Sequence, residues 1–199
     1  MDQNVILFAL IVLGYFLGSI PFGYIIAKLK NINIQDQGSG NIGATNVSRA
    51  LGLKYAILVG FLDVLKVVLP AIIAKHYLVN DWYICLAILA PMLGHLFPVW
   101  LKFKGGKAVS GVFASMVVII GWQYSLIFFL LWIVILKLIK IMSLTNLIVV
   151  WFVPLLFWFY TQSIAYVCFG FLCVLILYWA HRENIKRLRE GTEKKIIKN

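Results

Sequence analysis

The chain has 199 residues, 63% of them hydrophobic, and a formal net charge of +11. A soluble domain is about half apolar, so this composition excludes one and points to an integral membrane protein with basic segments outside the bilayer. Cys85, Cys168 and Cys173 all lie in apolar runs without metal-ligand spacing, so they are read as buried thiols. The first apolar run follows Asp2 and precedes lysines, the reverse of a signal peptide's charge order, so no cleavable signal peptide is expected.

A helix needs roughly 17–25 apolar residues to cross about 30 Å of hydrocarbon. The sequence offers seven candidates, at 4–27, 54–74, 82–101, 108–122, 124–141, 144–160 and 163–181. The expected fold is therefore all-α: one polytopic transmembrane domain of seven helices over 1–199. With the N-terminus outside, loops 28–53, 102–107 and 142–143 and the tail 182–199 are cytoplasmic. All of the 18 Lys and Arg except Lys66 and Lys75 then lie in or beside those inner segments, as the positive-inside rule requires. The outer loops are short and plain. A transporter of a phosphorylated metabolite is the alternative reading, but it should place polar groups at mid-membrane or on both sides. One decorated face suits an enzyme drawing on a cytosolic pool.

In chain order, Gly18-Ser-Ile-Pro-Phe-Gly23 can kink the first helix and free backbone groups, with Ser19 either in a packing kink or at a site. The run 38–49 holds Ser39, Gly40, Asn41, Gly43, Thr45, Asn46 and Arg49. Its glycines and hydroxyls make a poor helix and a good anion loop, because successive N–H groups can turn toward one point and Arg49 can grip phosphate with two parallel hydrogen bonds. The bland alternative is a flexible linker. The formal Gly-x-Gly-x-x-Gly within it follows a membrane helix rather than a strand, which rules out the dinucleotide fingerprint.

Asp63 and Lys66 share one face of the second helix and can pair, as a structural ion pair or near a site. His76 and Asp81 make a His-x4-Asp pattern known from one class of acyltransferases, but in the short outer loop, away from every basic cluster. His95 lies near the inner interface, as a structural histidine or a base. Lys104-Gly105-Gly106-Lys107 can open the fourth helix and hold an anion there. Ser143, Thr145 and Asn146 are N-cap types at the start of the sixth helix, or substrate contacts. In the tail, a basic anchor for anionic lipid, His181 and Asn184 lie three apart and nearest the membrane. Carboxylates are few and do not cluster with the histidines, so no metal is expected.

Taken together, Gly18–Gly23, Gly38–Asn46 with Arg49, Gly94-His-Leu-Phe-Pro98 followed by Phe103–Lys107, and the tail segments 182–188 and 191–193 resemble the bacterial acyl-phosphate:glycerol-3-phosphate acyltransferases of PlsY type. The likeness runs from about residue 14 to 195. It implies a seven-helix bacterial inner-membrane enzyme with its active site facing the cytoplasm, and a monomer is expected. The reaction implied joins an acyl phosphate to glycerol 3-phosphate and makes lysophosphatidic acid. The mixed anhydride can be attacked directly by the glycerol hydroxyl, so neither a cofactor nor a protein nucleophile is needed. Lys104, Lys107 and the backbone at Gly105 and Gly106 would hold one phosphate. Ser39, Thr45, Asn46 and Arg49 would hold another. Ser143, His181 and Asn184 would orient the hydroxyl, with the proton going to His181 or to the substrate's own phosphate. Glu193 departs from the basic pattern and is expected to pair with a loop lysine or arginine.

Overall fold

The computed structural model describes residues 2–196, which are helical with connecting loops and show no strand. The Asp2 side chain accepts a hydrogen bond from the Asn4 N–H (2.9 Å) and starts α1 (Gln3–Gly18). Pro21 lacks an N–H and disfavours helical backbone at the residue before it, so the helix stops and restarts as α2 (Phe22–Lys28). The expected kink is thus a break at Ser19–Pro21. Ser19 is fully buried there, and its hydroxyl donates back to the Tyr15 carbonyl (2.9 Å).

The described residues divide into two compact units, Met1–Ser115 and Met116–Asn199. The first holds α1, α2, α3 (Ala44–Leu51), α4 (Leu53–Tyr77) and α5 (Asp81–Leu96). Glycines let α1 and α5 touch through their backbones. A Cβ at Gly18 would fall on the Pro91 backbone, and one at Gly94 on the Tyr15 carbonyl. The Tyr15 hydroxyl donates to the Phe97 carbonyl (2.7 Å) and fixes the end of α5 against α1. Ala27, Ile34, Ile42, Val47 and Val59 form a small core beneath α2, α3 and α4. Helix α3 corrects the expectation of a non-helical run over 38–49. Only 38–43 is loop, because Val47 and its apolar neighbours bury one face of 44–51 against α4.

Helix α6 (Val109–Ile119) straddles the boundary between the units. The second unit continues with α7 (Trp122–Ile139), α8 (Met142–Val149), α9 (Phe152–Thr161), α10 (Ile164–Ala180) and α11 (Arg182–Arg189). Pro154 separates α8 from α9, since its ring opposes the carbonyl four residues back. Helix α10 packs on that proline through Gly170, where an added Cβ would lie 2.7 Å from the Pro154 Cα. Helix α7 exposes Ile127, Leu130, Val134 and Leu138, which suits contact with lipid and not water. Cys168 is exposed, whereas Cys85 and Cys173 are buried, so the expectation of three buried thiols fails at the first.

Among the described residues, Gln3–Lys28, Leu53–Tyr77, Asp81–Leu101, Trp122–Ile139 and Met142–Thr161 are long and apolar enough to cross a bilayer. Helices α10 and α11 qualify as a pair, bent by 62° at His181. Helix α6 has 11 residues, short of the roughly 17 a crossing requires. The apolar run at 108–122 yields so short a helix because Ala108 (φ 60°) and Gly121 (φ 93°) are both left-handed and stop it at either end.

Candidate active site

In the first unit, the loop at 38–43 is held from within. Gly38 (φ 58°) and Gly40 (φ 68°) take left-handed backbone. Asn46, at the start of α3, is buried beneath them. Its Oδ1 accepts from the Ser39 N–H (3.0 Å), and its Nδ2 donates to the carbonyls of Ile34 (3.1 Å) and Gln37 (2.8 Å). Asn46 therefore brackets the loop, and its amide is committed to backbone. Asn41 does the same at the other end, accepting from the Gly43 N–H (2.8 Å). Ser39 and Arg49 stay exposed and Thr45 half-buried, and the Arg49 stem lies beside Gly38.

The second basic loop folds back on the end of α5. Lys102 (φ 52°), Phe103 (φ 61°) and Ala108 (φ 60°) are left-handed without being glycine, a backbone state that costs energy and collects at functional sites. The Lys104 N–H donates to the Leu101 carbonyl (3.1 Å) and the Gly106 N–H to the His95 carbonyl (2.9 Å). A Cβ at Gly105 would meet the His95 and Leu96 carbonyls, and one at Gly106 would sit in the His95 ring. Both glycines are thus required by close approach. The Gly106 N–H is taken by the His95 carbonyl and does not point outward as a phosphate donor. The pair Lys104 and Lys107 precedes α6 instead of opening it, because the helix begins at Val109. Asn41 Nδ2 reaches the Gly105 carbonyl (3.3 Å) and ties the two loops together. Gly106→Ala should overpack the ring, costing about 1–3 kcal/mol, and lower the apparent melting temperature by about 2–4 °C per kcal/mol. An unchanged thermal melt in detergent would contradict this packing.

Below the loops, Asp63 and Lys66 pair as expected, with Oδ1 and Nζ 2.8 Å apart. Lys66 also donates to the Ile20 carbonyl freed by the α1–α2 break (2.8 Å). His95 Nδ1 stands 3.6 Å from Asp63 Oδ1. That third member was not legible in the sequence, where His95 lies far along the chain. His76 packs edge-to-face on Tyr77, with centroids 4.7 Å apart, in the last turn of α4.

In the second unit, Glu193 gathers the other candidates. Its Oε1 accepts from the Ser143 hydroxyl (2.8 Å) and Asn184 Nδ2 (2.6 Å), and its Oε2 from Arg187 Nε (2.6 Å). The predicted cationic partner is thus an arginine of α11 and not a loop residue. Burial alone would raise the Glu193 carboxyl. The bonds from Asn184, Arg187 and Ser143, with the Arg187 charge, outweigh it and hold the group below the usual carboxylate range. The N-cap expected among Ser143, Thr145 and Asn146 is instead Ile141. Thr145 bonds back to the Ile141 carbonyl (3.0 Å), and Asn146 accepts from Trp132 Nε1 (2.8 Å), a partner nothing in the sequence signals. His181 is 2% exposed at the α10–α11 bend, its Nδ1 2.8 Å from the Leu177 carbonyl. A carbonyl only accepts, so Nδ1 carries the proton and a neutral ring keeps its lone pair on Nε2.

Residues 8–191 match a family model described as glycerol-3-phosphate acyltransferase. A relative of that name in Parasynechococcus marenigrum (strain WH8102) is 43% identical over 195 residues, covering 96% of this chain and 92% of its own. The relative of that name in Aquifex aeolicus (strain VF5) is 43% identical over 187 residues, covering 92% and 96%. The fold is similar to a crystal structure of PlsY (YgiH), an integral membrane glycerol 3-phosphate acyltransferase in its glycerol 3-phosphate form. That likeness has a TM-score of 0.88 and 37% identity, over 95% of this chain and 94% of the other. A lysophosphatidic acid form of PlsY gives a TM-score of 0.86 over the same shares. With the family model covering nearly its whole length and its fold shared with PlsY, the chain belongs to the glycerol-3-phosphate acyltransferase family.

Proposed function

We propose that this chain transfers a fatty acyl group from an acyl phosphate to the sn-1 hydroxyl of glycerol 3-phosphate. The hydroxyl oxygen bonds to the acyl carbon, the acyl–phosphate bond breaks, and lysophosphatidate and inorganic phosphate leave. This is an entry reaction of phospholipid synthesis. The observation that carries the reading is the Asn41–Gly105 bond, which ties together two basic loops whose cations Arg49 and Lys104 are each at the exposed surface. Both substrates are phosphate-bearing anions, and such a surface attracts them. The chemistry is positioning with electrostatic stabilisation of the leaving phosphate.

Lys104 and Lys107 hold one phosphate; Ser39, Thr45 and Arg49 hold another. Ser143, His181 and Asn184 orient the hydroxyl. Its proton goes to the substrate's own phosphate, a reading favoured by the burial of His181. The protein works as a monomer in the bacterial inner membrane, with the N-terminus outside and the basic loops and tail cytoplasmic, an orientation that takes the short α6 as a seventh, partial-length passage beside the five long spans and the bent α10–α11 pair. The distribution of Lys and Arg supports that orientation.

Purified protein in sealed vesicles of both orientations tests the whole reading. Radiolabelled glycerol 3-phosphate is offered with acyl phosphate, acyl-CoA or acyl carrier protein as donor. Labelled lysophosphatidate is expected with acyl phosphate alone, and only where the cytoplasmic face is accessible. Product from acyl-CoA alone would overturn the donor and return attention to His76 and Asp81. No product from folded protein would favour the transporter reading, with uptake into the vesicles as its sign.

A further inference from the structure

We propose that Asp63 and His95 are positioning residues for the basic loop 104–107, acting through a buried relay that begins at the α1–α2 break. The Ile20 carbonyl, which the break leaves with only the Phe22 N–H (3.2 Å) from the backbone, accepts from Lys66 Nζ at 2.8 Å. Lys66 holds Asp63 Oδ1 at 2.8 Å. Asp63 Oδ1 faces His95 Nδ1 at 3.6 Å, an ion-pair distance, and that buried ring nitrogen makes no hydrogen bond among the described residues, so Asp63 is the acceptor it faces. The opposite edge of the ring is covered by Gly106, where a methyl group would collide with Nε2.

A buried ion pair is a poor source of stability, and well-packed apolar residues often do as well. Its retention beneath a loop therefore calls for another role. A carboxylate beside Nδ1 places the proton on that nitrogen and fixes the ring plane. The ring is the floor on which Gly106 rests, and Gly106 lies between Lys104 and Lys107. A ring that turns or slides carries both ammonium groups with it. This inference rests on the phosphate-binding role proposed for that loop.

The test separates positioning from charge balance. Replacing Asp63 alone strands Lys66 in an apolar interior and risks unfolding, so the informative variant is the double change Asp63→Leu with Lys66→Met, which leaves no acceptor facing His95 Nδ1. It buries no net charge but cannot fix His95. Glycerol 3-phosphate binding is measured by calorimetry without any donor, and KM and kcat are then measured with acyl phosphate. The double variant is expected to melt like the parent and to lose about tenfold in affinity and KM, with little change in kcat, as for a small misplacement of binding groups. Parent affinity in the folded double variant would overturn the proposal. A second measurement needs no variant: the imidazole 15N spectrum of His95 in the parent should show Nδ1 protonated, and an unprotonated Nδ1 would overturn it equally. Failure of the functional reading looks different, because the parent itself would then bind no glycerol 3-phosphate or give no product from acyl phosphate.

Discussion

Lys104→Ala is expected to cut turnover by about a hundredfold or more, the loss seen when one preorganised donor to a developing anion is removed. The reason is electrostatic. In the proposed reaction the leaving phosphate gains charge as the acyl bond breaks, and an ammonium held beside it would stabilise that state more than the ground state. The fold should hardly notice. Lys104 is exposed, and it is the backbone N–H, bonded to the Leu101 carbonyl, that anchors the loop. Exposed substitutions usually change stability by less than about 0.5 kcal/mol, so the thermal melt should stay within about 2 °C of the parent. Normal turnover in the folded variant would remove Lys104 from the chemistry. Arginine at this position keeps charge but brings a larger planar group, and should rescue only in part.

Glu193→Ala should be worse, since it removes one acceptor from Ser143, Asn184 and Arg187 together. Leaving donors unsatisfied beside a charged group costs about 2 kcal/mol or more, or about 4–8 °C in apparent melting temperature for a chain of this size. Turnover should fall about a hundredfold, because Ser143 and Asn184 lose the group that orients them. The carboxylate also leaves a signature in pH. Its folded value lies below its unfolded value, so its stabilisation is complete above the unfolded value and disappears as pH falls through the folded one. Glu193→Gln keeps the shape and one acceptor but cannot ionise, and should flatten the acid limb of the stability profile. Equal acid sensitivity in parent and Glu193→Gln melts would place that titration elsewhere.

The apolar runs were legible because a membrane helix advertises itself by length and hydropathy alone. The ends of α1, α4, α5, α7 and α10 fall within a few residues of the runs that announced them, once α1 is taken together with α2. What hid were features set by single residues. Left-handed backbone at Ala108 shortens α6, and nothing in a hydropathy window marks it. Helix α3 escaped notice because its small polar residues read as loop until Val47 is seen packed on α4. The candidate residues were visible as types, but their connections were not. Asn46 brackets its own loop, Asn41 joins two loops 64 residues apart, and Glu193 reaches 50 residues back to Ser143. Spacing along a helix revealed Asp63 with Lys66, since they lie three apart on one element. His95 belongs to the same group but comes from another helix, and sequence spacing carries no trace of that.

The interruption at Ser19–Pro21 also bears on how the chain enters the bilayer as it is made. A lysine near the middle of an inserting helix raises the free energy of insertion by about 2.5–3.5 kcal/mol. Lys66 emerges from the ribosome after Ile20, whose carbonyl receives it 46 residues upstream. The acceptor is therefore made before the cation arrives. Asp63, three positions earlier, travels in the same segment and offsets the charge on the way. Nascent-chain order and final contacts run in one direction, so a costly side chain of α4 follows the acceptor that earlier synthesis has supplied.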